Sequence, residues 1–163
     1  MKNILLKTYT LPVFMLTLRM AAPMAGIRIL AGPVRLWMRI LGKLVHWASG
    51  GPKANDSKEL AQAWQDMMPE PRSCFPLKGE QGNGTASVFA GEIHLHCPLR
   101  YSADTMACYQ LMEFDRTLVQ AAGGQLKVLE SQSNSGKPFC TVLMAMDAES
   151  LSGFKAAHES RAS

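Results

Sequence analysis

At 163 residues the chain has room for one domain with a real core plus an appendage. Its net charge of +4 hides a split: residues 1–55 carry eight Lys or Arg and no acid, whereas residues 56–163 carry nine basic and thirteen acidic side chains, a balance of −4. The basic part is too apolar for a nucleic-acid arm, which argues against nucleic acid and for an anionic membrane surface as its partner.

Residues 1–50 read as a basic, apolar helical region punctuated by Pro12, Pro23, Gly26, Gly32 and Pro33. Met1–Lys7 and the apolar stretch 10–18 have the composition of a leader, but Arg19 cuts in before any cleavage site and the chain stays basic and apolar beyond it, which argues against export. A spanning helix needs roughly 20 apolar residues, and the arginines at 19, 28, 35 and 39 interrupt every such run. The expected location is therefore cytoplasmic, peripheral at the inner face of a membrane. In "PVRLWMRILGKLVHWAS" (33–49), Arg35, Arg39, Lys43 and His46 share about 80° of arc, with apolar residues including Trp37 and Trp47 around most of the remainder. That pattern fits an interfacial helix, or a helix packed on the domain with its basic stripe solvated.

Residues 51–84 read as a linker with a short helix over 56–68, capped by Asp56 or Ser57 and stopped by Pro69. Turn chemistry fills 80–85. Residues 85–146 then give a strand over 85–97 and a helix over 102–124 closed by Gly123-Gly124. Strands over 125–131 and 138–146 follow, joined by a loop with Gly136 in its turn. This β-α-β-β order predicts an α+β domain, a small antiparallel sheet covered by a helix. Residues 147–163 read as a polar, frayed tail.

On a regular strand His94 and His96 point to one face roughly 7 Å apart. That spacing suits a shared zinc ion, with Cys97 as a third ligand if Pro98 turns the chain. Exposed strand histidines are the plainer reading. On the helix, Cys108 and Asp115 fall within about 20° of each other inside the apolar arc, while Tyr109, Glu113, Arg116, Thr117 and Gln120 take the wet face. A carboxylate on an apolar face needs a partner, a backbone hydrogen-bond set or a chemical role. Cys140, on the last strand, can approach Cys97 and Cys108. A metal ion, a reactive thiol beside a base, and a disulfide plus a lone thiol all remain open. Cys74 lies upstream, outside the cluster.

The order "HCPL", "AC", "EFD", "GG", "SG", "FC" over residues 96–140 resembles the L-2-amino-thiazoline-4-carboxylic acid hydrolase family, through Cys97-Pro98, Cys108, Asp115, Gly136 and Cys140. A more distant likeness is to the small-molecule-binding domain associated with 4-vinyl reductases. The first resemblance implies hydrolytic opening of a cyclic amidine-like thiazoline to a carbamoyl-cysteine. It implies Asp115 in proton transfer, Cys97, Cys108 or Cys140 as nucleophile or metal ligand, and Arg100 with His96 binding the substrate, Arg100 at its carboxylate. The alternative is a membrane-associated sensor or accessory module that binds a small molecule or metal without catalysis.

Overall fold

The computed structural model describes residues 2–69, 71–81 and 87–159, with side chains from residue 11 onward. Among these residues the helices are α1 (Lys2–Ala25), α2 (Ala31–Ala48), α3 (Ser57–Met67), α4 (Thr105–Leu111) and α5 (Glu113–Ala122). The strands β1 (Leu77–Gln81), β2 (Val88–Ile93), β3 (Gln125–Glu130) and β4 (Cys140–Ala145) form one antiparallel sheet in the order β1-β2-β4-β3. The protein is α+β.

Local signals place much of this. Asp56 caps α3 by accepting the Glu59 N–H at 2.7 Å, and α3 ends just before Pro69. Gly123, at φ +112°, closes α5 in the left-handed conformation that a side chain would resist. The β3–β4 hairpin pairs Val128 with Val142, and Gly136 has φ +72° in its loop. Period-two alternation then sorts the sheet's side chains. Phe89, Leu126, Val128, Val142 and Met144 face the helices, packing beneath Leu60, Ala61, Trp64 and Leu118, all fully buried.

Several expectations need correcting. The stretch expected as a linker supplies β1, an edge strand, as well as the buried face of α3. The turn expected over 80–85 falls largely outside the described residues, as does the start of the strand expected at 85. That strand ends at Ile93, so neither His94 nor His96 lies on it. The helix expected over 102–124 is two helices broken at Met112. The tail is not frayed as far as it is described: Leu151 and Phe154 cover Val88, Ala90, Leu143 and Ala145 on the far face of the sheet. Lys127 Nζ holds the tail there through the Leu151 and Phe154 carbonyls, at 2.6 and 2.9 Å.

The largest correction concerns α2. It lies across the side of α5 expected to be wet, which buries Glu113 and Thr117. Contact is close because position 42 is glycine: a Cβ there would stand 2.9 Å from Thr117 Cβ and 3.0 Å from the Phe114 carbonyl oxygen. Two members of the basic stripe therefore pair with the domain, while Lys43 stays exposed. Arg39 Nε meets the Glu113 carboxylate at 2.5 Å, Arg35 Nη2 at 3.7 Å and Arg116 Nη2 at 2.7 Å. α1 packs against α4 through Ala21, Ala22 and Ala25, and its Pro12 and Pro23 sit on the exposed side. Among the described residues no helix is long and apolar enough to cross a membrane.

Candidate functional site

A cavity of about 60 Å³ lies between the C-terminal half of α4, the N-terminal end of α5, the inner face of α1 and the loop after β2. Cys97, Cys108, Asp115 and Cys140 all line it, with His96 and Gln132. Its remaining walls are apolar, among them Phe14 and Leu18 from α1 and Phe75 before β1. No lysine or arginine contributes to the lining. At roughly 10–15 Å³ per water-sized group, the space suits a fragment about the size of a five-membered ring.

Asp115 is the one carboxylate in that wall. Trp64, reaching across from α3, donates its indole N–H to one carboxylate oxygen at 3.0 Å. Burial pushes the Asp115 carboxyl up to about 6, more than the Trp64 hydrogen bond and the Arg116 charge bring it down. The carboxylate is thus held by a neutral indole from a separate helix and by its own backbone N–H, not by a set of loop N–H groups.

The three thiols are neutral. Burial raises Cys97, and pushes Cys108 to about 11 and Cys140 to about 12. Each sulfur has a polar neighbour: the Leu99 N–H points at Cys97 Sγ (3.4 Å), the Ser131 hydroxyl at Cys108 Sγ (3.1 Å) and the Gln132 N–H at Cys140 Sγ (3.3 Å). All four cysteines are free, and Cys74 lies outside the cavity wall.

Gln132 organises this wall, and no motif pointed to it. It is 1 % exposed. Its side-chain amide donates to the Leu95 and Ile93 carbonyls (2.8 and 3.3 Å), and its side-chain oxygen accepts from the Cys97 N–H and Arg100 Nε (3.3 and 2.7 Å). Its backbone carbonyl takes the Tyr101 N–H at 2.9 Å, and that of Ser133 takes the Ala103 N–H at the same distance. These bonds hold Tyr101 and Ala103 at φ +61° and +58°, a strained conformation for residues with a Cβ. The only sequence signal is the polar loop QSNSGK at 132–137 between the last two strands.

Two expected binding residues are engaged elsewhere. Arg100, besides meeting Gln132, donates to the Pro138 carbonyl at 2.9 Å and does not line the cavity. His94 turns away, its Nε2 2.7 Å from Glu92 and its ring stacked 5.0 Å from Phe139. The expected zinc set of His94, His96 and Cys97 does not converge, because the strand ends before the histidines. Among the described residues no three His, Cys, Asp or Glu side chains are placed to hold a metal ion.

A larger cleft of about 190 Å³ opens on the other side of Cys108, against Ala156–Glu159. Its cations are occupied: Arg116 binds Glu113 and the Tyr109 carbonyl, and Lys127 binds the tail carbonyls. The smaller cavity, which gathers Cys97, Cys108, Asp115 and Cys140, is the candidate site. No protein-family model matches the chain, and no curated protein or solved structure is detectably similar to it.

Proposed function

We propose that the cavity takes a small cyclic amidine-like molecule and that Asp115 exchanges a proton with it during hydrolytic ring opening. The observation that supports this reading is a single carboxylate in an apolar wall, raised to about 6. Both of its forms are populated near neutrality, as a general acid–base requires. Water adds to the ring carbon between nitrogen and sulfur while ionised Asp115 takes its proton. The new C–O bond becomes a carbonyl as one ring bond to that carbon breaks; Asp115 returns its proton to the departing ring atom, and the second proton of the water passes to the ring nitrogen. One water is consumed. The neutral thiols serve as wall and weak hydrogen-bond partners. With Arg100 engaged and no lysine or arginine in the lining, the enclosed part of the substrate is uncharged or cationic. A substrate carboxylate would lie at the mouth, beside exposed His96.

A second reading, a binding module without turnover, draws on the neutrality of the three thiols. One experiment separates the two. L-2-amino-thiazoline-4-carboxylic acid and uncharged 2-aminothiazoline are each incubated with the purified chain, with ring opening followed by NMR and binding by calorimetry. Turnover that rises with pH through about 6 and falls roughly 10²–10⁴-fold in Asp115→Asn supports the hydrolase. Binding of either compound without product supports the module, and the absence of both would refute the cavity as an amidine site.

A further inference from the structure

The outer hairpin shows the opposite of an ordinary surface. Eleven of the thirteen large apolar side chains exposed among the described residues lie on α1, on α2 or in the turn joining them. On α1 they are Val13, Leu16, Met20 and Met24, spaced three and four apart as one stripe. On α2, Leu36, Ile40, Leu44 and Trp47 repeat the pattern with Trp37 beside them, and Trp47 is 78 % exposed. Ile27 and Ile29 carry the patch across the turn. The inner faces of both helices are committed to the domain, so the two stripes face outward.

Charge distinguishes the possible occupants. Arg35 and Arg39 pair with Glu113, Arg39 staying half exposed, which leaves Arg19, Arg28 and Lys43 as the other exposed cations among the hairpin's described side chains, and residues 1–55 contain no acid. A second copy docked through the same face by a twofold axis would bring these basic rims together with no acid from either hairpin to pair them. An anionic lipid surface supplies the missing charge and takes the apolar stripes among its acyl chains. We propose that the α1–α2 hairpin lies in the interface of an anionic bilayer, with its apolar stripes inserted and Arg19, Arg28 and Lys43 at the headgroups. This sharpens the expectation from sequence: the membrane-facing element is the apolar side, and the Arg35–Arg39 stripe belongs to the fold.

The test is co-sedimentation of the full chain with phosphatidylcholine–phosphatidylglycerol vesicles and with pure phosphatidylcholine vesicles, at low and high salt. Velocity sedimentation without lipid is run alongside. The wild-type chain pellets with the mixed vesicles, less so in high salt. Trp37→Ser with Trp47→Ser weakens binding by about tenfold or more and leaves the melting temperature unchanged. Arg19→Gln, Arg28→Gln and Lys43→Gln together lower binding by about a hundredfold, at roughly fivefold per cation, and remove the preference for anionic vesicles. Arg39→Gln lowers the melting temperature but keeps the preference. Equal binding to both vesicles, no binding, or a dimer that Trp37→Ser with Trp47→Ser dissociates would each overturn the proposal. A large fall in melting temperature for that double variant would do so too, by showing those side chains to be structural.

Discussion

Glu113 and Asp115 stand two residues apart at the start of α5, both buried, and their carboxyls are driven in opposite directions. Burial pushes Glu113 up, but hydrogen bonds from Arg116 and Arg39 and the charges of Arg116 and Arg35 outweigh it and hold it below the usual carboxylate range. Asp115, met by a neutral indole, stays raised at about 6. Both also share the positive end of the same short helix. The comparison shows that partners, more than depth, decide which buried carboxylate can exchange a proton.

Removing the partnered carboxylate is the most damaging way to break the contrast. Glu113→Gln leaves three arginines facing an amide and should cost about 3 kcal/mol, toward the low end for a buried pair because the arginines reach solvent. Urea denaturation at neutral pH measures it. In the wild type this stabilisation is present above the unfolded-state value of 4.5 and is lost as pH falls through the lowered folded value.

Asp115→Asn should move stability the other way. The folded value is raised from 3.8 to about 6. The native state therefore binds the extra proton between those limits, and stability drops as pH rises through them. The full penalty, about 3 kcal/mol at ~1.4 kcal/mol per pH unit, applies above pH 6. The amide oxygen can still accept from Trp64, so the variant should be more stable than wild type at pH 8 by up to that amount. It should gain nothing below pH 4. A loss of stability at pH 8 would mean that the ionised form is wanted for folding.

Trp64→Phe sharpens the contrast most gently. Without its indole donor Asp115 should titrate about one pH unit higher, the equivalent of a hydrogen bond to a charged group. Its carboxyl carbon resonance, followed by NMR, reports that change. The value for Glu113 should stay where it is.

How much of this could be read in advance depended on where each partner lies along the chain. The Asp56 cap, the Gly123 stop, the Gly136 turn and the β3–β4 alternation are local, and they were legible. Periodicity places Cys108 and Asp115 on the buried face, although the Met112 break carries no glycine or proline to announce it. β1 leaves no trace in the sequence because "LKGEQ" shows no apolar alternation: it is a largely exposed edge, held by backbone pairing to β2. Charge misled on α2, since Arg39 finds its carboxylate 74 residues away. Arg100 looked free for a substrate for the same reason, its partner Gln132 being 32 residues on. The polar average of the tail concealed Leu151 and Phe154.

Gly42 bears on mutational tolerance. Where α2 crosses α5, even a methyl group would press on Thr117 and the Phe114 carbonyl, so the fold admits almost nothing but glycine there. On the outward side of the same helix, Leu36, Leu44 and Trp47 touch little of the domain, and the fold would accept polar residues at each. Folding therefore dictates the one position with no side chain and is nearly silent about the bulky apolar ones.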